Sequence, residues 1–369
     1  MKCFSSHHFR LIGVLNDLNI FGYWKTLVCL YVLSITRILS CSQFWRQDRL
    51  LLPLSFYSMF RMMNNSCRYL FIFNPAANKG RAARKAEWLK SLLSGRKDSI
   101  LFTTTYPGHA GDIARSEVRE CFCMIACGGD GTLHEVVNAV VGQGVIVGIL
   151  PIGSANDFIK TLNPGKSLPS GIGHFFNGGV KCVDLGSVSW GDGDHQYFIN
   201  SLGIGFTGRI AKSVKHLRWL RGEFAYFYAL LSVLYSYRAP IMRIKITLEH
   251  SLLELCEPVF AFSVSNGKIE GGKFRLAPEA DLYDGFLDVC ILKSIPQHEL
   301  FRYVLEYLRG THIYDPQVLY CKAKAVEVML EKADVMHIDG EVFDNVCGRI
   351  AISVIPKGIS VVQGTELCD

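Results

Sequence analysis

The chain has 369 residues, 49% hydrophobic and 20% charged, with a net charge of +6, which is enough to bury a sizeable core and to form two domains. Residues 1–66 hold seven Lys or Arg against Asp17 and Asp48, leaving 32 basic and 31 acidic residues in the rest. A nearly neutral body excludes nucleic acid as the partner. The 13 cysteines are scattered, and Cys121, Cys123 and Cys127 fit no common zinc spacing, so they read as reduced and buried.

Residues 1–66 form an atypical extension, expected to be poorly ordered or membrane-proximal. The apolar run Leu27–Ile35 is bounded by Lys25 and Arg37 and falls short of the ~20 residues a spanning helix needs. A signal peptide, with Lys25 before the apolar run, is the less favoured reading. An interfacial helix anchored by Trp24, Tyr31, Phe44 and Trp45 is one reading. The preferred one is an upstream start, with Met62 or Met63 opening the chain.

From 67 to 183 strands alternate with helices. Tyr69–Phe73 is a strand ending in Asn74-Pro75-Ala76-Ala77-Asn78-Lys79-Gly80, with a helix over Ala82–Leu93. A strand near Ile100–Thr104 and a helix from His109 follow. Phe122–Ala126 is a buried strand leading into Cys127-Gly128-Gly129-Asp130-Gly131-Thr132, after which Leu133, Val136, Val137 and Val140 recur at helical spacing. Val145–Leu150 is a strand ending in Pro151–Phe158. This alternation predicts an α/β domain with a parallel, doubly wound sheet, punctuated at its exit by Asn163-Pro164-Gly165 and Pro169-Ser170-Gly171. Residues 184–356 read as a β-rich domain, with strands at Tyr197–Ser201, Ile241–Leu248, Val259–Ser265, Phe286–Leu292 and Ala323–Leu330 and a helix over Pro296–Leu308.

Three strands end in Gly- or Pro-marked loops, and ligands bind at the carboxyl ends of strands in open α/β sheets. Glycines at a strand-to-helix junction let backbone approach a ligand, and the helix N-terminus suits phosphate. Asp130 in that turn needs a cation between itself and the phosphate, which points to a magnesium–nucleotide site. Thr132 offers a hydroxyl to the cradle, and Asn156 and Asp157 are placed to N-cap a helix. Arg209, Lys212, Lys215, His216, Arg218 and Arg221 cluster beside Trp219, Leu220 and Phe224–Tyr228. That mixture suits either an anionic membrane surface or a solvated helix face over an aromatic core.

These loops, with Pro278–Asp288 and the Asp-Gly-Glu run in Met336–Glu341, resemble the diacylglycerol kinase catalytic family, which includes bacterial lipid kinases and the sphingosine kinases. The resemblance runs from about Cys67 to the C-terminus. It implies an NAD kinase/diacylglycerol kinase-like fold in which residues 357–369 return to the first domain. It also implies an ATP site lined by Asn74, Pro75, Ala76, Ala77, Asn78, Thr104, Gly128, Gly129, Asp130, Gly131, Thr132, Leu133, His134, Glu135 and Ser154. Asp130 joins the magnesium and phosphate network, Asn156 and Asp157 help to organise the cleft between the domains, and Glu341 is the general base. A second magnesium, structural in role, falls to the Asp284 side chain and the carbonyls of Asp281 and Phe286. Two positions depart from the family pattern. Asn78 stands where Gly is usual and tolerates left-handed geometry, and His134 stands where many members have Asn, altering contacts with the nucleotide.

The expected activity is ATP- and magnesium-dependent phosphorylation of a lipid hydroxyl, diacylglycerol first, by a cytoplasmic enzyme associated peripherally with a membrane and able to pair as a homodimer. A sphingoid base or another lipid alcohol is the alternative acceptor. The rivals are an NAD kinase, which shares the Gly-Gly-Asp-Gly turn, and a binding regulator without catalysis.

Overall fold

The computed structural model describes residues 69–164, 171–216, 228, 232–234 and 237–363. The 1–66 extension, the Pro169-Ser170 turn, the basic and aromatic residues at 218–221 and 224–227, and residues 364–369 lie outside the described residues.

Strand β1 (Tyr69–Phe73) is buried along its whole length, as is β3 (Cys123–Gly128); β2 (Ser99–Thr103) is half-buried at one side and β4 (Ile146–Pro151) mostly buried. Their near-continuous apolar runs suit strands covered on both faces. They lie in the order β2-β1-β3-β4, and every neighbouring pair is parallel. Helices α1 (Ala86–Leu93), α2 (His109–Glu117), α3 (Asp130–Val140), α4 (Asp157–Leu162) and α5 (His174–Asn177) connect and follow them. Alternate strand residues feed two cores. Leu70, Ile72 and Met124 pack with Ile113, Val136 and Val137. Phe71, Phe73 and Ile125 pack with Leu89, Leu93 and Phe175 on the opposite face.

The remainder is β-rich and largely antiparallel. It comprises β5 (Gly179–Trp190), β6 (Asp194–Phe198), β7 (Ser201–Gly205), β8 (Ile241–Thr247), β9 (Leu252–Ser265), β10 (Leu287–Lys293), β11 (Val318–Ala323), β12 (Ala325–Ile338) and β13 (Glu341–Gln363). Helices α6 (Phe206–His216) and α7 (Leu300–Arg309) lie within it. Strict alternation of exposed and buried residues along β8 turns Met242, Ile244 and Ile246 into a core shared with Phe198, Phe262, Val289, Val328 and Ile350. Strand β13 pairs antiparallel with β12 and β5, then parallel with β4 through Ser360 and Val361. One sheet therefore runs from β11 to β2.

Three differences from the sequence reading have local causes. The stretch Tyr197–Ser201 breaks between β6 and β7 because the Ile199, Asn200 and Ser201 N–H groups all donate to the Asp339 carboxylate. Strand β12 extends beyond Leu330 through two register shifts, where Glu331, Lys332 and Asp334 hide the alternation. Strand β13 is missed entirely, since Pro356, Gly358 and Lys357 at φ 53° interrupt the pattern at a shift in its pairing with β5.

Candidate active site

The loops after β1, β3 and β4 meet where the order β2-β1-β3-β4 changes direction, the usual ligand crevice of such sheets. After β3, Gly128 is fixed by contact: a Cβ there would come 2.3 Å from Thr132 Oγ1. Ile152 and Gly153 N–H both donate to Gly128 O, at 2.8 and 2.9 Å. A Cβ on Gly153 would lie 2.3 Å from the Gly129 Cα, so the two turns touch backbone to backbone. Gly153→Ala is expected to push them apart, costing on the order of 1–3 kcal/mol and misplacing the phosphate cradle; urea unfolding and nucleotide binding read the two effects.

The β1 loop closes over this pair. Asn74 Nδ2 donates to Thr132 Oγ1 at 3.0 Å while its Oδ1 accepts from Ala76 N–H. Asn78 sits at φ 51°, followed by Lys79 at 53° and Gly80 at 81°, so the left-handed conformation expected of Asn78 is present. Ser154 Oγ donates to Asn78 Oδ1 at 3.2 Å, joining the first loop to the third. Thr104 is buried beside them, its N–H donating to Phe73 O.

Acidic groups gather below the cradle. Asp130 opens α3, and its Oδ1 accepts the Asp157 N–H at 2.8 Å. Burial pushes the Asp130 carboxyl up, opposed by backbone donors from 156–158, with Asp339 adding repulsion. Burial, then the Asp130 charge, push Asp157 up to about 7 despite Lys160. Lys160 Nζ lies 3.1 Å from Asp157 Oδ1, and Gly272 N–H donates to both Asp157 oxygens at 3.0 and 3.1 Å. Glu341 comes in from β13: a Cβ on Gly131 would meet its Oε1 at 3.0 Å.

The folded chain keeps a proton on Asp157 up to about pH 7, whereas an ordinary Asp releases it near 3.8. Between those limits the folded state binds more protons, so stability falls as pH rises through that window. Asp157→Asn is expected to flatten that fall, seen as a smaller difference in urea midpoint between pH 5 and pH 8.

Several assigned residues take other roles. Leu133 faces the core, and its N–H donates to Gly129 O, because the helical register turns it inward. His134 is also turned inward, with Nδ1 3.1 Å from Asp339 Oδ2. Burial would lower its pKa, but the Asp339 carboxylate more than offsets this and raises it. Its contact within the protein is with the Asp-Gly-Glu turn. Glu135 accepts from Gly108 and Ala110 N–H, holding the start of α2. Asn156 occupies the N-cap position of α4, yet its side chain does not cap. Its Oδ1 accepts from Gly153 N–H and its Nδ2 donates to Gly153 O, because φ 52° aims it back at the turn.

Asp281 and Asp284 sit on a separate loop. Asp281 Oδ1 accepts from Tyr283 N–H and Asp284 Oδ1 from Phe286 N–H. Asp284 Oδ2 lies 2.5 Å from Lys322 Nζ, which is also 3.5 Å from Asp288 Oδ2. Sequence reasoning gave no role to Asp339 or the Gly271-Gly272 pair. Asp339 lay inside the Asp-Gly-Glu motif, and adjacent glycines in a strand-rich region were the signal for the second.

A phosphate cradle at an α/β crevice, with a β-rich half delivering a carboxylate into it, defines a phosphotransferase of the kinase type that works between two structural halves. Residues 68–188 match the diacylglycerol kinase catalytic domain, and residues 200–363 match the YegS C-terminal NAD kinase beta sandwich-like domain. The chain is 31% identical over 282 residues to a diacylglycerol kinase of Bacillus subtilis, covering 74% of this chain and 89% of that one. It is 24% identical over 294 residues to a diacylglycerol kinase of Mycobacterium tuberculosis, covering 79% and 93%. A crystal structure of a diacylglycerol kinase from Bacillus anthracis superposes with a TM-score of 0.58 at 21% identity, covering 80% of this chain and 97% of that one, a likeness of fold. The chain belongs to the diacylglycerol kinase catalytic-domain family.

Proposed function

We propose that this chain transfers the γ-phosphoryl group of ATP to a lipid hydroxyl, with diacylglycerol as the acceptor and phosphatidic acid as the product. The observation that carries this reading is the approach of Glu341, from β13, to the N-terminal turn of α3 beside Asp130. A carboxylate at that position supports the reading of Glu341 as the proton acceptor. The parallel strands with helices on both faces support the doubly wound reading of the nucleotide half. Asn74, Thr132 and the Gly128–Gly131 backbone bind and orient the phosphates. Asp157, held by Gly272 and Lys160, keeps Asp130 in place through its own N–H.

Magnesium fits this cluster: Asp130 and Asp157 are buried neighbours, the Asp157 N–H donating to Asp130 Oδ1, and burial raises both carboxyls, a cost that a bound cation would offset. Asp130, with Asp157 behind it, would hold the ion, which when bound neutralises charge on the phosphates. A second ion at the other loop would take the Asp284 side chain and the carbonyls of Asp281 and Phe286, hard oxygen donors, and would have to displace the Lys322 ammonium that pairs with Asp284 in this structure. Without nucleotide, a magnesium-dependent rise in melting temperature is expected to survive Asp130→Asn and to vanish in Asp284→Asn.

No helix among the described residues is long and apolar enough to cross a membrane, and we place the enzyme peripherally at a cytoplasmic membrane face. The test is transfer from γ-labelled ATP to diacylglycerol, sphingosine, monoacylglycerol and phosphatidylglycerol in mixed micelles, with NAD as the soluble control. Label in diacylglycerol upholds the reading. Label in another lipid alone corrects the acceptor, and label only in NAD overturns the lipid assignment.

A further inference from the structure

The 266–274 loop has no part in the cradle, yet it is stapled on three sides. Toward α4, Lys268 N–H donates to Thr161 Oγ1, and Gly272 meets Asp157 and Lys160. Toward β7, Asn200 Nδ2 donates to Ile269 O and Ser201 Oγ donates to Glu270 Oε2 at 2.7 Å. Toward β12, His337 Nε2 lies 3.3 Å from Glu270 Oε1, with the His337 side chain 1% exposed and that of Glu270 15%. The Ser201 hydroxyl thus holds one carboxylate oxygen of Glu270 by a hydrogen bond, and buried His337 lies against the other without forming one, while two residues later the backbone holds Asp157 of the α/β half. Gly271 and Gly272, at φ 61° and 89°, make the short reversal between these grips and by themselves supply little stiffness.

We infer that Glu270 is a positioning residue for phosphoryl transfer: bonded by the Ser201 hydroxyl and packed against His337, it fixes the 266–274 loop so that Gly272 N–H holds Asp157 against Asp130. The inference rests on the kinase reading above. Glu270 touches no reacting atom; it acts through Gly272 and Asp157. Gln at 270 still accepts the Ser201 hydroxyl, so shape is what the clamp requires. Ala removes both grips, and displacement of the order of 1 Å at a phosphoryl-transfer site costs up to about a hundredfold in rate.

The test uses the full chain with magnesium, ATP and diacylglycerol micelles, together with hydrogen exchange of peptides spanning 267–274. Glu270→Ala is expected to lower kcat about 10- to 100-fold, to leave the ATP KM within about twofold, and to speed exchange in the loop. Glu270→Gln is expected to restore most of kcat and the slow exchange. Ser201→Ala, which removes one grip, moves both readouts the same way by a smaller amount and serves if Glu270→Ala does not fold. Equal loss in the Gln and Ala variants, unchanged kcat in Ala, or unchanged exchange at 267–274 would each overturn the clamp. If wild type phosphorylates no lipid, the kinase reading has failed, while the exchange comparison still decides whether Glu270 holds the loop.

Discussion

Glu341→Gln is expected to lower kcat for lipid phosphorylation about a thousandfold, within the range usual for a positioned general base, while the ATP KM stays within about twofold. Gln keeps the length and shape of the side chain and loses only its capacity to take a proton. The residue stands at the end of the Asp339–Glu341 turn, where Asp339 at φ 49° and Gly340 at φ 85° swing the chain from β12 into β13. Asp339 is pinned by three backbone N–H donors and by His134. The carboxylate is thus delivered from a rigid turn, and the variant should melt within about 2 °C of wild type. Initial rates at saturating lipid with varied ATP decide it. A kcat within about tenfold of wild type would remove Glu341 from the role of base and leave positioning alone to account for the rate.

Asp130→Asn should be as damaging by a different route. The amide oxygen still accepts the Asp157 N–H, so the turn is retained, but the negative charge is gone. Turnover is expected to fall about a thousandfold, and the ATP KM to rise about tenfold or more because magnesium-linked phosphate binding loses its anchor. The same change relieves repulsion, since Asp130 has buried carboxyls at Asp157 and Asp339 for company. The nucleotide-free variant should therefore melt about 2–4 °C above wild type at pH 8, trading stability against activity. Calorimetry and steady-state kinetics on one preparation test both halves. A variant that is inactive and also less stable would mean that Asp130 supports the turn rather than ligand charge.

The parallel strands were legible because β1, β3 and β4 are apolar runs closed by Gly-, Asn- or Pro-marked loops, and such loops name both the strand end and the ligand edge. The β-rich half was legible as strands but not as a sheet. The long partners β12 and β13 carry exposed charges and a bulge that break alternation, and pairing between residues so far apart leaves no local trace. Among site residues, Asn74, Thr132, Asp130 and Ser154 come together around the cradle. Leu133, His134 and Glu135 were assigned by resemblance as one run, and helical geometry sends their successive side chains in different directions. Asp157 was read as a cap and, by resemblance, as an organiser of the cleft between the domains; its grip by Gly272 depends on a loop 115 residues away, which no spacing in the sequence reveals.

Strand β13 begins at Glu341 and ends against β4, so the proposed proton acceptor and the sheet that carries the proposed phosphate cradle share one uninterrupted stretch of backbone. Dissecting the gene at the boundary between its two halves would not yield two soluble products. A fragment ending near residue 183 would leave β4 with bare N–H and C=O groups along an apolar edge, the template on which foreign strands add. A premature stop anywhere after the Asp-Gly-Glu turn but before Ile359 would spare every acidic residue of the site and still expose that edge. Such truncated products are expected in inclusion bodies, and a synthetic peptide covering residues 357–363, supplied during refolding, is the natural reagent for bringing them back into solution.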